Sequence, residues 1–389
     1  MPGVEGYIYP NEVELQWSIL IVLYPYLTGL VAGAFILASL ERVFNVKALK
    51  PTYRLALLTA LAFLIVAPLP LQMHLGHPER SYEMYLTPHT ESAMAMFGFV
   101  YLWYLMVVLV LEIWFDYRKE LVLTWRASTG WTKRLYGALS LWSGDISPAA
   151  LQLDDKLGRI ITVIGIPSAF LLHGYVGFIF GSIKANPWWS TPLMPVVFLF
   201  SAIVSGVAAV MLVYMALATI RKIPIDMKCV DTVAKYLLYA FLVDFSLELL
   251  DLIHRLYEAD ESFRALDFMV KTRLFTSQII VQILLGTFVP ILLLALVQFK
   301  RFSDPVRRLI YSVSGVLTLI GIFAMRWNVV IGGQLFSKSF LGYTTYKLEF
   351  ATREGALSAI IFMIAPLVIL AVLIRIFPPW PAQEDASGR

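Results

Sequence analysis

The side chains best able to do chemistry lie where charge is costly. Residues 240–258 read AFLVDFSLELLDLIHRLYE, within an apolar run long enough to cross a bilayer, and they include Asp244, Glu248, Asp251, His254 and Arg255. At α-helical spacing Asp244, Glu248, Asp251 and Arg255 fall within roughly 60° of one another and make a stripe about 16 Å long, with His254 on its flank. Ionisable groups at membrane depth face a bundle interior or a water-filled path. Carboxylates and an imidazole in file can pass protons, so the stripe is a candidate proton path. The bland reading is a buried ion pair, Arg255 with Asp251, that holds helices together. One pair would not need all of these groups.

Three other clusters carry polar chemistry. In His74-Leu-Gly-His-Pro-Glu-Arg80, Gly76 permits a tight bend, Pro78 stops a helix and Arg80 sets a fixed cation at an interface. The same turn also serves as a plain helix stop. In AFLLHGYVGFIFG, His173 and Tyr175 accompany Gly174, Gly177 and Gly181, small positions that let a helix or a flat ligand approach. A His and a Tyr can each hydrogen-bond a quinone oxygen, and His can take the proton released on quinol oxidation. The alternative is a packed histidine beside an interfacial tyrosine. In RWNVVIGGQ, Arg326, Asn328 and Gln334 are expected to form an outer polar cap, or a loop that docks a partner subunit.

The elements that must position these groups are membrane helices. The chain has 389 residues, 59% of them hydrophobic, and a mean hydropathy of +0.74. That is an all-α integral membrane protein, a polytopic bundle of nine or ten transmembrane helices in a single domain, 1–389. Nine segments have spanning length: about 17–41, 53–74, 93–116, 159–181, 192–219, 233–256, 273–299, 307–326 and 357–376. Of the 31 Lys and Arg residues, 21 fall in alternate loops that begin with the one after the first segment, and 9 in the others. This bias sets the N-terminus outside and the C-terminus in the cytoplasm of a prokaryotic cell membrane. The first 17 residues hold no Lys or Arg, so the first segment reads as a retained helix and not as a signal peptide. A tenth helix would have to hide in 121–150, which reads as an amphipathic helix on the cytoplasmic face, or in 327–345, which reads as an outer re-entrant or cap segment. The polar clusters converge on the outer half. The inner half offers mainly Glu112, near an expected helix end.

Composition also excludes chemistry. Cys229 is the only cysteine, so the chain can neither form an internal disulfide nor ligate an iron–sulfur cluster, and any cluster must sit in a partner. Of the five histidines only His173 lies clearly inside a helix, so no intrinsic haem is expected. No phosphate loop, nucleophile elbow or zinc motif is present, and neither a metal nor a nucleic-acid partner is expected.

The order of these motifs resembles the NrfD/PsrC family of polysulfide-reductase-type membrane subunits. HLGHPER with Pro88 and Ser92-x-Met94 is similar to that family's LGxPxR and SxM element, and Tyr175-Val-Gly177 to its YTG element. PWWSTPLMPVVFLFSAIVSG is similar to the segment that follows, and MRWNVVIGGQ with His173 resembles the longer DsrP/HybB-like branch. The resemblance implies a haem-free subunit that exchanges electrons between menaquinone, or another quinone, and a ferredoxin-like iron–sulfur subunit on the outer face. It carries a quinone-site role to Tyr175 and His173. The short members have an Asn and a His on the first helix, where this chain offers Ile21 and Tyr24, and many relatives have Asp where this chain has His74.

The expected function is therefore the quinone-reactive anchor of a respiratory oxidoreductase complex, of sulfur-type respiration or hydrogenase-like. Quinol would bind among the first four helices at His173, Tyr175, His74, Arg80 and Tyr24, with membrane lipid and further subunits around it. Two alternatives stay open. An ion-coupled secondary transporter would explain intramembrane acids, but it calls for a midplane site between related halves with broken helices. A purely structural anchor would fit the changed first-helix residues.

Overall fold

The computed structural model describes residues 4–380, apart from 88, 90, 93–95, 97, 99 and 259–261, together with the side chains of all but 85, 103–105, 255, 256 and 258. Pro88, Met94 and the Arg255 side chain of the readings above thus lie outside the described residues.

In lipid every backbone N–H and C=O must be satisfied within the segment, so the apolar runs become helices. The order is α1 (Ile19–Arg42), α2 (Lys50–Val66), α3 (Pro68–His74), a π-helical stretch Val100–Met106 leading into α4 (Val107–Ala127), and α5 (Gly130–Leu139). There follow α6 (Pro148–Gly181), α7 (Met194–Ile220), α8 (Met227–Glu258), α9 (Phe263–Thr272), a second π-helical stretch Phe275–Phe288 running into α10 (Val289–Phe299), α11 (Asp304–Val330) and α12 (Ala356–Ile376). Among the described residues, eight of these spans are long and apolar enough to cross a membrane. The long helix outside that set is α8, which carries Asp244, Glu248 and Asp251. The protein is a polytopic helical membrane protein.

Several helices run past their expected ends. α4 continues to Ala127, α6 begins at Pro148 and α11 reaches Val330. Polar residues near the ends of apolar runs suggested stops, but those side chains find partners inside the bundle. Glu112 is fully buried and accepts a 3.2 Å hydrogen bond from Tyr53 Oη, and it lies well inside the helix and not near its end. Between α4 and α6 the short α5 leaves Trp131 exposed, in keeping with the expected amphipathic element in 121–150.

α1 is the central post, buried along nearly all of its length and packed against α2, α6, α7 and α11. It crosses α7 at two glycines. A Cβ on Gly206 would lie 2.5 Å from the backbone of Gly33, and one on Gly33 would lie 2.8 Å from Gly206 Cα. Close helix crossings of this kind need small residues, because lipid tails give apolar helices little other reason to associate. Gly286 of the second π-helical stretch and Gly321 of α11 make a similar crossing.

The two ends of the bundle differ. At one end, which we call the cap end, the strands β1 (Glu5–Gly6) and β2 (Gly342–Tyr343) pair antiparallel. Gln334 bridges to Trp17 through both its amide atoms, and Trp17 stacks on Trp189 with ring centroids 5.0 Å apart. At the opposite, basic end, Arg54 binds Asp116 and Glu120 at 2.7 and 3.0 Å, and Arg118 binds Asp154 at 2.6 Å.

Candidate functional site

α11 carries two buried polar sites, Arg326 and Asn328. Two residues are roughly 200° of helix, so these side chains point to nearly opposite sides.

Arg326 is completely buried. Its Nη2 donates to Ser201 Oγ (2.7 Å), to His173 Nε2 (3.0 Å) and to the Phe198 carbonyl (3.2 Å), and its guanidinium lies 4.0 Å from the Phe198 ring centroid. An arginine only donates, so His173 Nε2 must be an acceptor and its proton sits on Nδ1. That nitrogen faces Thr28 Oγ1 at 3.4 Å, and the Thr28 hydroxyl donates to the Tyr24 carbonyl at 3.0 Å. Four helices, α1, α6, α7 and α11, are joined at this point. His173 is also completely buried, and a Cβ on Gly29 would sit 3.2 Å from its Cε1, so glycine makes room for the ring. With Arg326 on one nitrogen and Thr28 on the other, His173 has neither nitrogen turned to a ligand. The expectation that it binds a quinone oxygen and takes its proton does not fit this arrangement: protonation would set a second cation against Arg326.

Asn328 faces the other way, into a cavity of about 290 Å³ between the start of α7, α8, α9, the second π-helical stretch and α11. Glu248, Gln278, Gln282, Asn328 and Asp251 give it polar groups, set among apolar side chains that include Trp188, Phe245 and Phe263. Asn328 Nδ2 donates to Gln282 Oε1 at 2.8 Å, and Gln282 Nε2 reaches Glu248 Oε1 at 3.5 Å. The Gln282 amide nitrogen is turned toward Glu248 and its oxygen toward Asn328 Nδ2. Asn328 Oδ1 is then left over, and it has no partner among the described residues; neither has Gln278 Oε1. Gln278 and Gln282, four residues apart, share a face of this π-helical stretch, and the Thr287 hydroxyl donates to the Gln282 carbonyl. π-helical turns are rare and cluster at functional sites.

The acidic stripe leads away from this point. Asp244 is buried, and both Asp244 and Glu248 lie within the electrostatic reach of Arg326. Glu248 and Asp251 line the first cavity, where Asp251 Oδ1 accepts from Thr191 Oγ1 at 2.5 Å. A second cavity of about 400 Å³ shares Thr191, Asp251, Phe263 and Leu266 with the first and adds Lys184 and His254. His254 is exposed. Asp244, Glu248, Asp251 and His254 thus follow one another from the buried Arg326 to the surface.

The structure does not gather the five residues expected around a quinone. Tyr24 is buried on α1. His74 Nδ1 pairs with Glu354 at 2.7 Å, and Arg80 is exposed. Tyr175 is half-buried on α6, two residues from His173 and so on a different side of that helix, with its ring stacked toward Phe178. The expected polar cap is likewise divided, because α11 extends to Val330. Only Gln334 belongs to the cap, whereas Arg326 is in the core and Asn328 in the cavity. Gln278 and Gln282 escaped the sequence reading. Their signal was present as two amides four residues apart in an otherwise apolar run, FTSQIIVQILLG. Among the described residues, no group of three or more His, Cys, Asp or Glu side chains is placed to hold a metal.

Comparison with known proteins agrees with this architecture. Over 95% of its length the chain is 28% identical to the C subunit of the selenate reductase of Mesobacillus selenatarsenatis, covering 87% of that protein. It is 31% identical to protein NrfD of Escherichia coli over 52% of this chain and 61% of the relative. It is 23% identical to the Hdr-like menaquinol oxidoreductase integral membrane subunit of Archaeoglobus fulgidus over 91% of this chain and 81% of that relative. The profile of the family described as polysulphide reductase, NrfD, matches residues 10–338, and the chain belongs to that family.

Proposed function

We propose that this chain is the quinone-reactive membrane subunit of an oxidoreductase complex. Oxidation of a quinol to a quinone gives up two electrons and two protons. The electrons pass one at a time to an iron–sulfur cluster in a partner subunit docked on the cap end, and the reverse reaction takes both back. The observation that carries this reading is the file of titratable groups from Arg326 through Asp244 to Glu248, Asp251 and His254, the last three of which line two cavities with shared walls that lead to the surface. Proton-coupled electron transfer inside a membrane needs such a route, because a proton cannot cross apolar packing alone.

In this reading Arg326 is a fixed cation near the carboxylates of α8, and His173 holds Arg326 in place. Tyr175, Tyr24, His74 and Arg80 are proposed to shape the approach on the α1–α6 side. The basic end faces the cytoplasm of a prokaryotic cell membrane, with the cap end and the N-terminus outside. The name of the Archaeoglobus relative supports menaquinol as the quinol. The family's description supports a setting in sulfur-type respiration.

The test is turnover of the assembled complex with quinol and, separately, with an artificial dye that reacts with the partner subunits. His173→Ala, Tyr175→Phe and Asp244→Asn are compared with the wild type, and assembly is checked. Loss of quinol turnover with retained dye turnover supports the reading. Unchanged quinol turnover in all three variants contradicts it.

A further inference from the structure

The basic end carries an exposed patch with no part in the acidic file or its cavities. α5 lies there, tied to the bundle at a defined depth. Trp114 Nε1 donates to the Leu139 carbonyl at 2.9 Å, and Tyr136 Oη donates to the carbonyl of Ile376, the last residue of α12, at 3.5 Å. The short helix therefore sits level with the end of a membrane span, which is the headgroup depth of a bilayer. Trp131 on α5 is 73% exposed, and Leu141 and Trp142 just after it are 70% and 59% exposed. The last two are held outward by an unusual backbone. Their N–H groups close α5 onto the carbonyls of Ala138 and Gly137, at 2.9 and 2.8 Å, in the manner of a Schellman end. Such an end favours glycine, yet Leu141 and Trp142 take φ of +52° and +57°. A Cβ on Gly137 would lie 2.6 Å from the Trp142 ring, so glycine makes room for it, and that ring meets Trp125 edge-on at 5.6 Å. Large apolar side chains held outward in this way fit an apolar boundary, where tryptophan is favoured. The charges around them are unbalanced. Asp116, Glu120, Asp154 and Asp155 are each paired with Arg42, Arg54 or Arg118, and Asp145 accepts from the Ser147 N–H at 2.9 Å. Lys133 and Arg134 on α5, Lys119 on α4 and Lys156 on α6 are exposed and have no ion pair among the described residues.

We propose that α5 and the turn after it form a binding surface for anionic phospholipid in the leaflet at the basic end. Lys133 and Arg134 meet the lipid phosphates. Trp131, Leu141 and Trp142 enter the boundary between headgroups and acyl chains, as in a helix that lies in an interface. The cations left over once the acids are paired make the surface prefer a lipid of net negative charge to a zwitterionic one. A membrane is favoured over a soluble partner because the bonds to Trp114 and Ile376 hold the patch at bilayer depth. The proposal is independent of the quinone-reactive reading.

The test has two parts, both on the full chain. In detergent, the chain is titrated with phosphatidylglycerol or phosphatidylcholine, and bound lipid is counted by native mass spectrometry. The wild type should bind phosphatidylglycerol more tightly than phosphatidylcholine, and less so as salt is raised. Lys133→Gln combined with Arg134→Gln should weaken phosphatidylglycerol roughly fivefold for each charge removed and leave phosphatidylcholine unchanged. Both side chains are exposed, and an unchanged thermal midpoint verifies the fold. In nanodiscs of phosphatidylglycerol brominated on its acyl chains, Trp131→Phe should lower the share of tryptophan emission that bromine quenches. If the double variant binds phosphatidylglycerol as the wild type does, the anionic lipid is held elsewhere and the proposal is overturned. It is equally overturned if Trp131→Phe leaves the quenched share unchanged, which would give the patch to a soluble partner beyond the bilayer.

Discussion

Arg326 and Asn328 sit two residues apart on one helix and are both buried, yet their surroundings are opposite in kind. Around Arg326 the groups interlock: Nη2 shares its two protons among His173, Ser201 and the Phe198 carbonyl, Nη1 donates to Met325 Sδ, and Thr28 closes the far side of the imidazole. Around Asn328 the chain of bonds runs to Gln282 and Glu248 and then stops at a cavity, with acceptor atoms left over. The first arrangement resembles a fastening, a polar knot that fixes four helices in register. The second resembles a receptor, polar groups held in place for something not of the chain. Burial alone does not separate the two roles, and neither does satisfaction, since Arg326 Nε, like Asn328 Oδ1, has no partner among the described residues; the cavity does, because Asn328 lines it and Arg326 does not.

The comparison is most easily broken at the knot. Arg326→Leu should destabilise the chain by on the order of 3–5 kcal/mol, the usual cost of removing one partner from a buried charged cluster, read as a lower thermal midpoint in detergent. Arg326→Lys should recover only part of this, because an ammonium gives up the flat guanidinium face over the Phe198 ring and the Nη1 contact with Met325 Sδ. A wild-type midpoint for Arg326→Leu would show that the knot fastens nothing.

On the cavity side the balance should be reversed, with a large functional loss and a small change in stability. Glu248→Gln keeps an acceptor for Gln282 but cannot take a proton, so quinol turnover of the complex should fall by roughly 10²-fold, within the range for removal of a general base. The thermal midpoint should stay close to that of the wild type. Gln282→Leu should cost about 1–3 kcal/mol, since it leaves Asn328 Nδ2 without its acceptor. Equal damage to stability from Glu248→Gln and Arg326→Leu would erase the distinction between the two sites.

The smallest effect is expected at the cap. Lys338 reaches Glu12 across 3.5 Å with a half-exposed side chain. Lys338→Ala should shift stability by no more than about 1 kcal/mol, and less at high salt. A larger shift in the thermal midpoint would mean that the cap is part of the fastening.

The sequence shows the helices clearly and their ends poorly. Long apolar runs mark α1, α7 and α12 because lipid leaves the backbone no alternative to a helix. Glu112 and Arg326 misled because a charge near the end of an apolar run looks like a boundary. Each is in fact paired inside the bundle, a tertiary fact that hydropathy does not carry. The stripe on α8 was legible, since the 3.6-residue period alone aligns Asp244, Glu248 and Asp251. Its partners were harder to see: Gln278 and Gln282 are uncharged amides in an apolar run, and only packing shows that they face Glu248 and Asn328. His173 was read as a quinone contact, and its neighbour Arg326, 153 positions away in sequence and 3.0 Å away in space, is one that only packing reveals.

The most direct measurement is a single turnover. Quinol is mixed with the oxidised complex, and the absorbance of the partner's iron–sulfur clusters is followed, with and without this chain and with its Glu248→Gln variant. If the chain is quinone-reactive, the clusters are reduced rapidly in the complete complex, slowly with Glu248→Gln, and not at all when the chain is missing. Cluster reduction by quinol at the same rate without the chain would contradict the account.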